Sequence, residues 1–276
     1  TIRQLTIPTN ASDTPIRRPA HQVRWQVGSP DTVGGFSASC YYFVRGLKES
    51  GIDVPMGMVV AAWGGARVRN WVSDEALRRL GLYNDDLDML ALSRTDMPAA
   101  LRRWGAAWES WWKAARPQDG TPWAVGYDDS GWKTAPEALG PWALWHSANP
   151  DGFVGQMWMR TSVTLTAQQA QKPGAVLDLG QVNEEDETWI NGLDVGASSF
   201  ASRTTHPVRP GVLKEGVNVI ATNIFCSWRN CGIRGPAEMR AIRFADGASV
   251  PLSNTWRYRE VQGTLIAPQM PWGVTH

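Results

Sequence analysis

The sequence predicts an α/β fold whose front half is interrupted by an all-β jelly-roll sandwich. Three observations predict it. A helical apolar pattern beginning at Phe36 leads into the short apolar stretch 56–62, which together make the half-unit of a parallel sheet. From residue 117 to about 258 the pattern becomes short strands separated by turn residues, as in a sandwich. Beyond it, apolar residues resume around Pro268 and Pro271, as in a chain returning to its first domain. The expected domains are 1–116, 117–258 and 259–276.

The elements follow in order. Residues 1–35 are polar and punctuated by Pro and Gly, with alternating stretches at 3–7 and 23–27 that fit strands. Ser37 is placed to cap a helix whose apolar residues recur at helical spacing until Gly51 ends it. Segment 56–62 reads as a buried strand and runs into Trp63-Gly64-Gly65. Ser73-Asp74-Glu75 opens another helix, and a longer one starts near Asp96. Its Trp104, Trp108, Trp111 and Trp112 fall on one face, which is expected to pack. In the β region, strands are expected at 156–165, 175–179, 187–190, 217–225 and 239–244. Asn191-Gly192 after an alternating run is a hairpin signal.

Composition narrows the function classes. Hydrophobic content of 43% against 19% charged residues belongs to a packed chain, not a disordered one. A net charge of +1 removes the electrostatic case for nucleic acid or an anionic membrane as partner. No apolar run approaches the roughly 20 residues that span a bilayer. The start at Thr1, with neither Met nor a leader pattern, reads as a cut. Cys40, Cys226 and Cys231 show no zinc spacing; the last two are close enough to bridge, and their pairing stays open. The triplet Asn10-Ala11-Ser12 reads as a coincidental glycosylation match. Tryptophan is the outlier, 16 residues against six Phe and five Tyr. Most indoles are expected in cores, and the excess also tilts the substrate toward carbohydrate.

Several residue groups could carry chemistry. Glycines after a strand let backbone N–H groups approach a ligand, so Gly64 and Gly65 could hold an oxyanion. A tight strand-to-helix turn is the plainer explanation of the pair. Ser37 mimics a nucleophile elbow, but it lacks the second glycine and a preceding strand, and a helix cap explains it. His21, His146, His206 and His276 have no partner spacing and read as surface or hydrogen-bonded residues. The acidic runs 184–187 and 128–129 lack the alternating oxygen ligands of a calcium loop and read as solvated turns. Trp228, beside Arg229 and Asn230, is a candidate sugar contact, with a core position equally open.

Together these pieces resemble the sialate O-acetylesterase family, carbohydrate esterases of the SGNH-hydrolase (flavodoxin-like, three-layer) fold with an inserted galactosidase-like jelly roll. Segments 36–47 and 54–71, the latter with its Val-Pro start and Trp-Gly-Gly core, are similar to that family's first domain. Asp128-Asp-Ser-Gly-Trp132, Trp158-Met-Arg160, Leu177-Asp-Leu-Gly180, Trp189-Ile-Asn-Gly192 and 211–220 resemble its jelly roll, and Ile266-Ala-Pro268 its re-entry. The resemblance implies backbone oxyanion donors at Gly64 and Gly65, with Gly65 the stronger candidate. Trp63 joins Trp228 as a candidate sugar contact, and no metal or cofactor is expected. Ala66 departs from the family's usual Thr.

The family's Gly-Gln-Ser-Asn nucleophile block, Gln-Gly-Glu and Asp-x-x-His segments are not in this chain. The resemblance therefore implies an O-acetylated carbohydrate substrate for a longer parent, secreted or periplasmic, working through a serine acyl-enzyme. This chain alone is expected to be inactive. Catalytic residues would come from further segments or a second chain. The competing expectations are a carbohydrate-binding sandwich module, a non-catalytic subunit completed by a partner chain, and a glycosidase fragment. The last would need two positioned carboxylates, and no convincing pair stands out.

Overall fold

Serine and aspartate caps start the helices where the sequence places them. In the computed structural model, Ser37 Oγ accepts the Cys40 N–H at 3.4 Å and begins α2 (Ala38–Glu49), and Gly51 at φ 91° follows its end. The structure describes residues 1–276 except 11, 13, 15, 17, 19–20, 65, 146–152, 200, 228–230, 262–266, 269 and 273–276. The chain forms two compact units, 1–87 and 88–274.

In the first unit, β1 (Ile2–Thr6) pairs in parallel with β3 (Met56–Val60), Ile2 opposite Met56 through Thr6 opposite Val60. The short β2 (Gln26–Val27) joins β1 antiparallel, giving the order β2-β1-β3. Helix α1 (Pro30–Val33) precedes α2, which forms the β1-to-β3 crossover. The expected strand at 56–62 stops at Val60, and that at 23–27 shrinks to two residues. Helix α3 (Asp74–Leu80) is capped by Ser73 and ended by Gly81 at φ 69°. The unit boundary falls inside α4 (Asn84–Thr95).

The second unit begins with α5 (Met97–Ala115), capped by Asp96 Oδ1 accepting the Ala99 N–H at 2.9 Å. Two antiparallel sheets follow, in a sandwich of jelly-roll type. Their strands in chain order begin with β4 (Lys133–Thr134), β5 (Gly140–Pro141) and β6 (Gly155–Leu165). After the single-turn α6 (Ala167–Ala170) come β7 (Val176–Asn183), β8 (Glu185–Ile190), β9 (Leu193–Ser199) and β10 (Thr204–Pro207). The long β11 (Gly216–Cys226) precedes β12 (Gly232–Arg234), β13 (Ala241–Arg243), β14 (Ser249–Pro251) and β15 (Arg257–Glu260). One sheet runs β4-β15-β6-β11-β8-β9; the other runs β14-β13-β7-β12-β5, with β10 on β7.

The first of these sheets is buried on both faces, because successive side chains of a strand point to opposite sides. Met157 and Met159 enter the core between the sheets with Ile190, Ile220, Leu177 and Ile242. Trp158 and Trp189 point the other way, into a second core beneath α5. There Trp104, Trp108 and Trp112 of α5 meet them; Trp108 stacks on Trp112 with ring centroids 5.7 Å apart and lies 5.2 Å from Trp189. The tryptophan excess is thus mainly a packing device, since ten of the fifteen described indoles are buried (104, 108, 112, 123, 132, 142, 145, 158, 189 and 256). At about 25 cal/mol per Å² of apolar surface, each such ring contributes several kcal/mol as an upper bound.

Asn191 and Gly192, at φ 53° and 78°, make the expected β8–β9 hairpin. Asn191 Nδ2 also donates to the Val212 carbonyl at 2.9 Å and to Asn218 Oδ1 at 2.8 Å, while its Oδ1 accepts the Val219 N–H at 3.0 Å. Cys226 and Cys231, left open above, form a disulfide between the ends of β11 and β12, their Cα atoms 5.9 Å apart.

Candidate functional site

The turn after β3 lies at the carboxyl end of a strand in a parallel pair. That is where open α/β sheets bind ligands. The Ala66 N–H donates to the Trp63 carbonyl at 3.2 Å and closes the turn over Gly64. Trp63 is partly buried, whereas Gly64 is exposed. A Cβ at Gly64 would meet nothing within 4 Å, and its φ lies outside the left-handed region. Among the described residues, nothing accepts the Gly64 N–H. Neither local crowding nor backbone conformation therefore demands glycine there. Gly65 and Trp228 lie outside the described residues.

The other residues considered from sequence take structural places. Ser37 caps α2, as expected. Asp128 accepts the Ser130 N–H at 2.9 Å in the expected turn, and His21 is exposed; His146 and His276 lie outside the described residues. The acidic run 184–187 is not a solvated turn. Glu184, Asp186 and Glu187 are buried, because each carboxylate finds donors that only the assembled sandwich supplies. Glu184 accepts from the Ser227 hydroxyl at 2.7 Å. Asp186 meets His206 Nε2 at 2.8 Å and the Thr188 hydroxyl at 2.7 Å, so His206 is a buried partner and not a surface residue.

Glu187 faces the opposite way, toward α5, in a cross-strand row with Trp158, Asn223 and Ala197. Its Oε2 accepts the Trp104 indole N–H at 2.6 Å. Nearby, the Trp189 indole N–H donates to Glu109 Oε1 at 3.0 Å. Asp194 of β9 accepts the Gly196 N–H at 2.6 Å and lies against Gly105 of α5. Burial, with the Asp194 charge second, holds the Glu187 carboxyl well above its ordinary range. Burial likewise pushes Asp194 up to about 6, against the Gly196 N–H that pulls it down. The signal for Glu187 is the alternation Glu185-Asp186-Glu187-Thr188-Trp189-Ile190, which sorts Glu187 and Trp189 onto one face; none marks Asp194.

Trp104, Trp108, Glu187, Asn223, Pro268 and Met270 line a small cavity at this seam, with about 20 Å³ of free space. That is room for about one water, not for a sugar ring. Asn223 Nδ2, buried there, has no partner among the described residues.

No family model and no curated protein matches this chain. Some solved structures do resemble part of it. A Ruminococcus gnavus β-glucuronidase shares 14% identity over 52% of this chain and 25% of its own, with a TM-score of 0.33. A rhamnosidase from Novosphingobium sp. PP1Y shares 18% over 40% of this chain and 12% of its own, TM-score 0.29. An uncultured Clostridium sp. β-glucuronidase shares 16% over 29% and 14%, TM-score 0.26. The matched part is thus about an eighth to a quarter of those chains.

Among the described residues, no serine hydroxyl is hydrogen-bonded to a histidine: Ser37 serves a helix and His206 serves Asp186. The arrangement can pack, hold protons and present a backbone donor at Gly64.

Proposed function

We propose that this chain is a non-catalytic, carbohydrate-directed segment of a hydrolase. In this reading the parent protein removes O-acetyl groups from sugars, unit one is part of its SGNH-type domain, and the sandwich is inserted in it. Gly64 and Gly65 supply backbone N–H groups to the tetrahedral oxyanion, and Trp63 and Trp228 border the sugar. The nucleophile and base come from further segments or a partner chain, without metal.

One observation carries the reading. Gly64 stands exposed just past β3 of a parallel pair, its N–H without an acceptor among the described residues and with no local need for glycine. A glycine that the surrounding backbone does not require fits close approach of a ligand. The chain by itself should leave p-nitrophenyl acetate hydrolysis at the buffer rate. Joined to segments carrying Gly-Gln-Ser-Asn and Asp-x-x-His, it should release acetate from acetylated sugars. Turnover by the isolated chain, or none by the completed protein on any acetylated sugar, would overturn the proposal.

A second reading, a sandwich that binds glycans directly, is favoured by its standing as a compact unit with its own core. The seam under α5 has no room for a sugar, so binding would fall on loops. Glycan-array binding lost in Trp228→Ala would support it.

A further inference from the structure

We infer that Glu187 and Asp194 form a proton-held latch that keeps helix α5 docked on the sandwich, and that α5 lifts off when the shared proton is lost. The two carboxyls come from the two strands of one hairpin and meet the same helix. Glu187 receives the Trp104 indole N–H at 2.6 Å, four residues before Trp108 at the centre of the stacked rings. Asp194 rests on Gly105, the one residue of that turn without a side chain, so closely that no other residue would leave it in place.

Glu187 Oε1 is buried, and no donor reaches it among the described residues. Asp194, which meets the next residue of α5, is the acid whose charge weighs most on Glu187. Two ionised carboxylates have no hydrogen to share, whereas a carboxyl proton between them serves both. The other ionisable groups around the pair are Glu109 of α5, Asp186 of β8, His206 of β10 and Arg209 just after β10. Asp186 is engaged by His206, and Arg209 donates to the Asp194 carbonyl at 2.8 Å, so neither side chain bonds the pair directly.

The sign follows from linkage. Both carboxyls hold their protons more tightly folded than unfolded, so their contribution is complete below the unfolded range near about 4 and declines as pH rises. Asp194 gives up its proton near about 6, while Glu187 keeps its own to higher pH. Loss of this second proton sets the buried Glu187 charge against the half-buried Asp194 charge under α5.

Hydrogen exchange of the intact chain from about pH 5 to about pH 9, corrected for intrinsic rates, tests this. Protection in α5 should fall at least tenfold while that of β6 and β11 persists, with a parallel loss of near-ultraviolet tryptophan dichroism. Glu187→Gln, which keeps an acceptor for Trp104, should remove most of this pH dependence. Wild-type α5 protection that stays flat, or falls together with that of β11, would overturn the latch. So would a Glu187→Gln variant retaining the wild-type slope. The wild-type measurement decides the matter even where the variant fails to fold.

Discussion

Asp194 sits where a side chain at residue 105 would be: a Cβ built on Gly105 falls 1.5 Å from Asp194 Oδ2 and 2.4 Å from its Cγ. Helix α5 approaches the β8–β9 hairpin this closely because residue 105 is glycine. Gly105→Ala should therefore destabilise the chain by about 1–3 kcal/mol, despite alanine's better helix propensity. Denaturant midpoints measured at one pH would check it; a stabilised variant would show that α5 is not held this way.

Asp178 titrates in the opposite direction to the latch. Burial pushes its carboxyl up, but Arg203, Arg243 (Nε at 2.8 Å) and the Gly180 N–H (2.9 Å) outweigh burial and hold it below the ordinary range. Its contribution is complete above the unfolded value of about 3.9 and is lost as pH falls through the folded one. Stability should decline below about pH 4, and Asp178→Asn should flatten that acid limb while lowering stability at neutral pH by about 3 kcal/mol. Thermal midpoints from about pH 2 to about pH 7 would reveal it.

Asn191→Ala should cost about 2–3 kcal/mol. It removes a residue suited to φ 53° and strands three hydrogen-bond partners, Val212, Asn218 and Val219. Asn191→Gly, which keeps the backbone but not the bonds, should recover only part. Equal stability of the two variants would assign the whole cost to the lost hydrogen bonds, and a glycine variant as stable as the wild type would assign it to backbone conformation.

Gly64 offers a separation of folding from function. Gly64→Ala should change stability by less than about 0.5 kcal/mol, because its Cβ meets nothing. Gly64→Pro removes the N–H, and on the proposed reading it should lower kcat of the completed protein by about 10²–10³. Unchanged turnover in that variant would remove Gly64 from the oxyanion site and leave Gly65 as the donor.

The local elements were legible because their causes are local. Ser37, Ser73 and Asp96 cap helices through bonds spanning three residues, and the indoles of α5 mark one face by spacing alone. The β8–β9 turn followed from Asn191-Gly192. The run 184–187 was misread because four acids in a row look solvated until their partners are known. Those partners, Ser227, His206, Thr188, Ser198 and Trp104, are scattered along the chain.

Alone, the sequence determined the helix starts, the strand-rich segment, the hairpin and the Trp63-Gly64 turn, since short-range sterics and periodicity act within a few residues. Tertiary structure decided that α5 packs on the sandwich, that Cys226 meets Cys231, and that Glu187 and Asp194 both meet α5. The cost of a buried carboxyl depends on which donors, charges and water surround it, and those come from distant parts of the chain.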